Sequence, residues 1–178
     1  MTELTTERLI LRRWRPADLD ALAEMNADPE VMRYIRDGTV QDRGESEAFL
    51  ARAEANFEKN GYGLFAAELR DTGDLAGWVG MAVPEFLPEV LPAVEIGWRL
   101  RRAYWGSGLA TEGAREAMRF GFADCGLDRL VSIRHADNGR SGRVMEKLGM
   151  SFDRRTTVPA TKQPVDVYEI SRDEWLRR

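Results

Sequence analysis

The feature that most constrains the fold is a set of three short strand patterns followed by alternating helix and strand patterns. The three strands are separated only by turn-forming or proline-rich residues, which predicts an antiparallel meander over residues 62–69, 75–83 and 94–100. Next come a helix at 108–124, a strand at 129–134 and a helix at 138–148. Connections of the type strand, helix, strand are almost always parallel and right-handed. The sequence therefore predicts a mixed sheet in which a parallel step follows the meander.

The flanking segments complete an α/β (α+β) fold with about seven strands and about four helices. Residues 4–14 alternate as a strand, Pro16 marks the start of a helix, and a second helical segment begins after Asp28. The remaining predicted elements are a longer helix at 43–59 and two closing strands at 151–158 and 163–171. A chain of 178 residues suits one core, and no repeat or linker interrupts it. We therefore expect a single domain over residues 1–178.

Composition narrows the possible ligands and the cellular compartment. Hydrophobic residues make up 43% of the chain, without a run of about 18 that could cross a membrane, and the N-terminal residues are charged. We therefore expect a soluble, cytoplasmic protein. One cysteine and one histidine provide neither a disulfide nor a usual zinc site, so no metal is expected. The net charge of −4 argues against a general nucleic-acid binder, so any anionic ligand must be held locally.

The segment from Glu95 to Glu112 carries the clearest functional pattern. It reads as a strand, a turn that contains Gly106 and Gly108, and the first turn of a helix. Exposed N–H groups at a helix start bind anions, and glycines let the backbone approach them. Two glycines also occur in loops for conformational reasons alone. A Walker loop is excluded because no Gly-Lys-Ser/Thr follows, and a Rossmann fingerprint would need a small residue where Thr111 stands.

The stretch from Trp105 to Ala110 resembles the pyrophosphate loop of the GNAT superfamily of N-acetyltransferases, which reads Gln/Arg-x-x-Gly-x-Gly/Ala. Gly108 and Ala110 match the last two fixed positions, whereas Trp105 replaces Gln or Arg. The form Trp-Gly-x-Gly-x-Ala-Thr-Glu resembles the RimJ/RimL-like branch. Three more stretches resemble that branch in the right order along the chain: Thr6 to Arg12, Asp28 to Met32, and Asn138 to Met150.

The resemblance implies a GNAT fold whose cofactor cleft lies at the parallel step and holds acetyl-CoA as the acetyl donor. Trp98 and Leu100 are two residues apart, so their backbone groups face one way and could pair with the pantetheine arm as another strand would. Their side chains could equally be ordinary sheet packing. The cofactor-binding residues implied by the resemblance are Trp98, Leu100, Trp105, Gly106, Ser107, Gly108, Leu109, Ala110, Thr111 and Asn138.

Two residues are implied as catalytic. Glu95 stands where some family members carry a carboxylate that removes the amine proton through water, although a salt bridge or a surface acid is the alternative. Ser141 stands where relatives protonate the leaving thiolate, although a serine this early in a helix is often only a cap. Asn138 could itself be that cap. His135 is expected to be a structural hydrogen-bonding residue.

These implications lead to one expected function and one alternative. The first is transfer of an acetyl group from acetyl-CoA to a primary amine, on a protein N-terminus or a small molecule, by direct attack in a ternary complex. The alternative is a non-catalytic CoA-binding sensor or interaction module. Arg99, Arg101 and Arg102 would attract the anionic cofactor, and acidic residues in the loops at 37–44 and 84–92 would suit a cationic amine. We expect a small-molecule or peptide acceptor, no nucleic-acid or membrane partner, and a monomer or homodimer.

Overall fold

The computed structural model describes residues 2–178 and contains one mixed eight-stranded sheet, which confirms the predicted fold class. The strand order is β1-β2-β3-β4-β5-β6-β8-β7, and every neighbouring pair is antiparallel except β5 and β6. The strands are β1 (Leu4–Thr5), β2 (Leu9–Arg12), β3 (Leu64–Leu69), β4 (Leu75–Ala82), β5 (Val94–Leu100), β6 (Arg129–His135), β7 (Ser151–Thr157) and β8 (Pro164–Ser171).

The helices include four of eight residues or more, in agreement with the predicted number. In chain order the helices are α1 (Leu19–Asn26), α2 (Pro29–Met32), α3 (Arg43–Asn60), α4 (Leu109–Ala123), α5 (Gly139–Lys147) and α6 (Arg172–Leu176). Short 3₁₀ turns occupy Pro16–Asp18, Pro88–Val90 and Arg102–Tyr104. Among residues 2–178, no helix combines the length and the apolar character that crossing a bilayer requires.

The structure differs from the predicted elements at both ends of the chain. The first predicted strand is two strands, because the Thr6 N–H donates to the Leu9 carbonyl at 2.9 Å and turns the chain back on itself. The sheet therefore has eight strands rather than about seven. The short helix α6 was not predicted, although Ser171 and Glu174 form a capping box that marks its start.

The helices lie on both faces of the sheet. Helix α4 packs with α5 on one face, and its buried small residues bring it close to the strands. At Gly113 a β-carbon would come within 3.1 Å of Val79 Cγ2, so the helix backbone is nearly in contact with β4. On the other face α1 and α3 pack over β3 and β4 around the buried residues Leu22, Met25, Ala53, Ala66 and Leu75.

Candidate active site

The parallel step between β5 and β6 is open for most of its length. The two strands pair only at Val94 with Leu130 and at Glu95 with Val131, although both strands continue well beyond these residues. One contact spans the gap where it begins, since the Ser132 hydroxyl donates to the Ile96 carbonyl at 2.9 Å. The outer parts of β5 and β6 therefore diverge and leave a slot between two strands of one sheet.

The backbone of β5 presents hydrogen-bonding groups to this slot. The Arg101 N–H donates to Ala76 O on the β4 side at 2.8 Å, and backbone groups alternate sides along a strand. Trp98 and Leu100 therefore direct their N–H and C=O groups to the β6 side, where β6 no longer pairs. The Leu100 carbonyl accepts from Trp105 Nε1 at 2.8 Å, which leaves the Leu100 N–H and both Trp98 groups facing the slot.

The glycine loop ends at a helix start without a side-chain cap. Gly106 and Gly108 have φ angles of 77° and 86°, which residues other than glycine rarely adopt. Gly108 is the N-cap of α4, and no side chain bonds to the free N–H groups of that helix. Leu109, Ala110 and Thr111 form its first turn. These N–H groups and the helix dipole make a site for an anion such as a pyrophosphate.

A network from the N-terminal hairpin fixes this loop. Arg8 Nη1 donates to the Ser107 carbonyl at 2.9 Å, and Arg8 Nε donates to Glu112 Oε2 at 2.7 Å. The Thr6 hydroxyl donates to Glu112 Oε1 at 2.6 Å. Burial raises the pKa of Glu112, but the bonds from Thr6 and Arg8 outweigh that effect and leave the pKa below its ordinary value. Two sequence stretches that resemble the same family therefore meet in space.

Trp105 braces the loop from within. Besides bonding Leu100, its ring lies beneath the Arg140 guanidinium, with the Arg140 carbon Cζ 4.6 Å from the ring centroid. Arg140 belongs to the first turn of α5, so this contact joins the loop to α5. An open groove of about 310 Å³ adjoins the start of α4. It is lined by Glu7, Arg8, Gly108, Thr111, Glu112, Arg115 and Lys147.

Glu95 lies where the slot begins and has a strongly altered acidity. Burial raises the pKa of Glu95 to about 8, and the hydrogen bond from the Ile133 backbone N–H opposes this rise. The residue as a whole is nevertheless only half-buried. Glu95 forms no ion pair among residues 2–178, so a structural role as a salt-bridge partner is not supported.

Asn138 and Ser141 form a pair at the start of α5. Asn138 is the N-cap, since its Oδ1 accepts from the Ser141 N–H at 3.3 Å. Asn138 Nδ2 also donates to Ser141 Oγ at 3.2 Å. Ser141 is therefore three residues past the cap rather than the cap itself, and its hydroxyl proton remains available. Because α5 packs on the α4 face and Glu95 projects from the opposite face, the two candidate catalytic residues lie on opposite faces of the sheet.

Several residues on the α1 face near the slot were not predicted from sequence. Arg99 Nη1 donates to Asn26 Oδ1 at 2.9 Å, and its Cζ lies 5.3 Å from the centroid of the Trp78 ring. Tyr34 stacks on His135 with ring centroids 5.3 Å apart. These contacts join residues far apart in the chain, so only the strand alternation that places Arg99 with Glu95 could have suggested them.

His135 has its ring nitrogens engaged within the protein. Nδ1 accepts from the Asp137 N–H at 3.1 Å, and Nε2 lies 2.9 Å from Gln163 Oε1. An accepting Nδ1 requires the proton on Nε2, which then donates to Gln163. The geometry therefore agrees with a structural role for this histidine.

The arginines expected to attract the cofactor, and the acidic residues expected to attract a cationic amine, are mostly paired with other residues of the protein. Arg101 pairs with Glu24 at 2.8 Å and Arg102 with Asp28 at 3.2 Å, so these two do not present free charge to the cofactor loop. Arg99 donates to Asn26 at the end of α1. Three of the four acidic residues in the loops at 37–44 and 84–92 also have partners: Asp37 accepts from Thr39, Asp42 caps α3, and Glu89 accepts from Thr156.

The chain matches an acetyltransferase (GNAT) domain over residues 8–151. It is 30% identical to the uncharacterized N-acetyltransferase YnaD of Bacillus subtilis, in an alignment that covers 97% of this chain and 98% of YnaD. It is also 30% identical to the FsC-acetyl coenzyme A-N(2)-transacetylase of Aspergillus fumigatus, over 86% of this chain and 69% of that protein.

Solved structures show the same architecture. A GNAT acetyltransferase from Bacillus anthracis superposes with a TM-score of 0.81 at 26% identity, over 97% of this chain and all of the other. RimL, a ribosomal L7/L12 alpha-N-protein acetyltransferase solved with coenzyme A, superposes with a TM-score of 0.78 over 97% of this chain and 99% of RimL. At 14% identity this second similarity concerns the fold only. The domain match and these alignments together show that the chain belongs to the GNAT family of acetyltransferases.

Proposed function

We propose that this protein transfers the acetyl group of acetyl-CoA to a primary amine by direct attack in a ternary complex. The observation that carries the proposal is the slot between β5 and β6, which ends beside an uncapped helix N-terminus. An extended arm fits the slot and a pyrophosphate fits the helix start. The name of the Aspergillus fumigatus relative, a transacetylase that uses acetyl coenzyme A, supports the same donor.

The residues of the slot and the loop suit this donor. The free backbone groups of Trp98 and Leu100 would pair with the pantetheine arm, the loop from Trp105 to Thr111 would hold the pyrophosphate through its N–H groups, and Asn138 would bond the arm from α5. When bound, acetyl-CoA supplies an acetyl thioester. The Trp98 N–H faces the slot and can donate to the thioester oxygen, where charge develops during attack.

Glu95 suits the role of general base. An amine with a pKa near 10.4 must lose a proton before it can attack, which costs about 4.6 kcal/mol at pH 7, whereas an α-amine near 7.7 costs about 1 kcal/mol. A carboxylate whose pKa is about 8 holds a proton far better than an ordinary glutamate does. Its partial accessibility lets it accept the amine proton through a water molecule.

Ser141 suits the role of general acid toward the leaving thiolate. The hydrogen bond that Ser141 Oγ accepts from Asn138 Nδ2 stabilises negative charge on that oxygen, so the hydroxyl gives up its proton more easily. Asn138 also fixes the Ser141 backbone. Substrates would thus meet between an acid on the α4 face and a base on the α1 face.

Incubation with acetyl-CoA and a library of amines and peptides, followed by mass spectrometry and assay of released thiol, tests this function. Acetylated acceptor together with free coenzyme A is the expected result. Binding of coenzyme A without turnover of any amine would instead support the alternative, a CoA-binding sensor or interaction module.

Membership of the RimJ/RimL-like branch is supported by the Trp-Gly-x-Gly-x-Ala-Thr-Glu form of the loop. The net charge of −4 supports a small-molecule or peptide acceptor rather than a nucleic acid. We further propose a cytoplasmic protein that acts away from membranes as a monomer or homodimer, with one domain over residues 1–178 and no metal.

A further inference from the structure

Arg99 is a partly buried guanidinium without a carboxylate partner. It belongs to none of the ion pairs formed among residues 2–178, and its one hydrogen bond, to Asn26, is made by Nη1. Its Nε is buried without a hydrogen-bond partner. Since Nε–H and Nη2–H point the same way from a guanidinium, one complete edge of Arg99 is left without a protein acceptor.

The surroundings of Arg99 increase the attraction for an anion. Burial, with a smaller contribution from repulsion by Arg36, lowers the pKa of Arg99 to about 10, and the side chain stays cationic at neutral pH. The Asn26 amide is fixed in turn, because its Nδ2 donates to the Ser46 hydroxyl at 3.0 Å. Asn26 and the Trp78 ring therefore hold the guanidinium in one place while its charge remains uncompensated. A buried charge of this kind is costly unless a ligand neutralises it.

Arg99 lies on the acceptor side of the proposed reaction centre. Glu95, Gly97 and Arg99 are two residues apart in turn, so they lie on the same face of β5. At 3.3 Å per residue, Gly97 is about 6.6 Å along the strand from each of the other two. Gly97 has no side chain, and the Trp78 ring packs against this position, with its Cζ3 atom 3.5 Å from where a β-carbon would lie. The next residue, Trp98, directs its N–H to the slot. An amine that reacts beside the Trp98 N–H would lie one residue, about 3.3 Å, along β5 from Arg99.

We infer that the acceptor carries a carboxylate close to its reactive amine, as an amino acid does, and that the free edge of Arg99 binds this carboxylate. This inference rests on the proposed acetyltransferase function and names its substrate class. The planar edge of a guanidinium matches the two oxygens of a carboxylate, which makes paired hydrogen bonds with defined geometry. Such an acceptor is held with its amine directed along β5 toward the slot.

Paired substrates test the inference. Amino acids and their primary amides are compared as acceptors at a saturating concentration of acetyl-CoA, with kcat/KM calculated from the concentration of free amine. The wild type should prefer the carboxylate by at least tenfold in kcat/KM, and Arg99→Met should reduce that ratio to about one. Arg99→Lys should keep a smaller preference, since it retains the charge but not the paired geometry. Arg101→Met is the matched control, since Arg101 lies one residue past the end of β5 and is paired with Glu24, and the ratio should not change in that variant.

A second measurement does not depend on turnover. Calorimetry with a trimethylated carboxylate analogue, whose quaternary nitrogen has no lone pair and cannot react, should show binding to the complex of the wild type with coenzyme A. The signal should disappear in Arg99→Met while coenzyme A affinity is retained. If amines are acetylated without any preference for the carboxylate, or if Arg99→Met keeps the preference, the inference is wrong while the proposed function stands. If no amine is acetylated and no carboxylate binds, both are wrong.

Discussion

Arg8 and Glu112 are 104 residues apart in the chain, yet Glu112 accepts hydrogen bonds from the Arg8 backbone N–H and from its side chain, each at 2.7 Å. Since Arg8 also donates to the Ser107 carbonyl, one arginine holds both the loop and the first turn of α4. The conformation of the anion site thus depends on the N-terminal hairpin.

The first prediction is that Arg8→Met weakens coenzyme A binding by roughly tenfold, because charge-assisted bonds that hold the loop are lost. Calorimetry measures the change in Kd. Arg8→Lys should also bind weakly if geometry is what matters. Arg70→Met is the matched control, since Arg70 bonds to the hairpin at Thr6 and Glu7 but does not reach the loop. Equal losses in Arg8→Met and Arg70→Met would assign the effect to the hairpin as a whole.

The second prediction is that coenzyme A raises the melting temperature far more than NADH does. A ligand at 100 times its Kd adds about 2.7 kcal/mol to the stability of the native state. For a chain of 178 residues this corresponds to roughly 5–10 °C. Thermal-shift measurements with both ligands check it, and equal shifts would argue against the assignment of the loop.

The third prediction concerns Gly108→Val. A side chain at a φ of 86° is strained, and a β-branched group also obstructs the approach of a phosphate to the loop. Affinity for coenzyme A should fall by at least tenfold while the protein remains folded. Gly73→Val is the control, because Gly73 has a φ of 76° in the turn between β3 and β4, away from the loop. It should lose stability but keep its affinity; a normal Kd in folded Gly108→Val would remove the phosphate role from the loop.

The fourth prediction links Glu95 to the acidity of the acceptor. The fraction of Glu95 that is ionised, and can therefore accept a proton, increases as pH rises toward its pKa of about 8. The rate of the wild type should rise over that range. Glu95→Gln should lower kcat/KM on the order of 10²-fold for a lysine-like amine at pH 7, and less for an α-amine. Higher pH should restore part of the loss as free amine accumulates. Unchanged rates from pH 6 to 9 would leave Glu95 as a structural carboxylate.

The fifth prediction uses the same residue to alter stability. Since folding raises the pKa of Glu95 from its ordinary value of 4.5 to about 8, the unfolded chain ionises first, and the native state loses stability as pH rises between those values. Glu95→Gln removes this loss. Its melting temperature relative to wild type should therefore increase from pH 4.5 to pH 8, as measured by calorimetry. A difference that does not vary with pH would contradict the raised pKa.

Local features of this chain were predictable from its sequence because they depend on neighbouring residues. The strand at Val94–Leu100 and the helix after Gly108 follow from hydrophobic spacing and from glycines that accept positive φ angles. The pairing of Asn138 with Ser141 follows from their separation by one helical turn. The resemblance in several stretches then indicated the family, which the domain match shows.

Contacts between distant residues were decided only by the tertiary structure. Alternation along β5 places Arg99 and Glu95 on one face, but the sequence does not say that this face meets Asn26 and Trp78 rather than the cofactor loop. It also does not show where β5 and β6 separate, and so it cannot give the burial that raises the pKa of Glu95. Desolvation and ion pairing depend on everything that packs around a charge, and here those neighbours come from helices and strands far away in the chain.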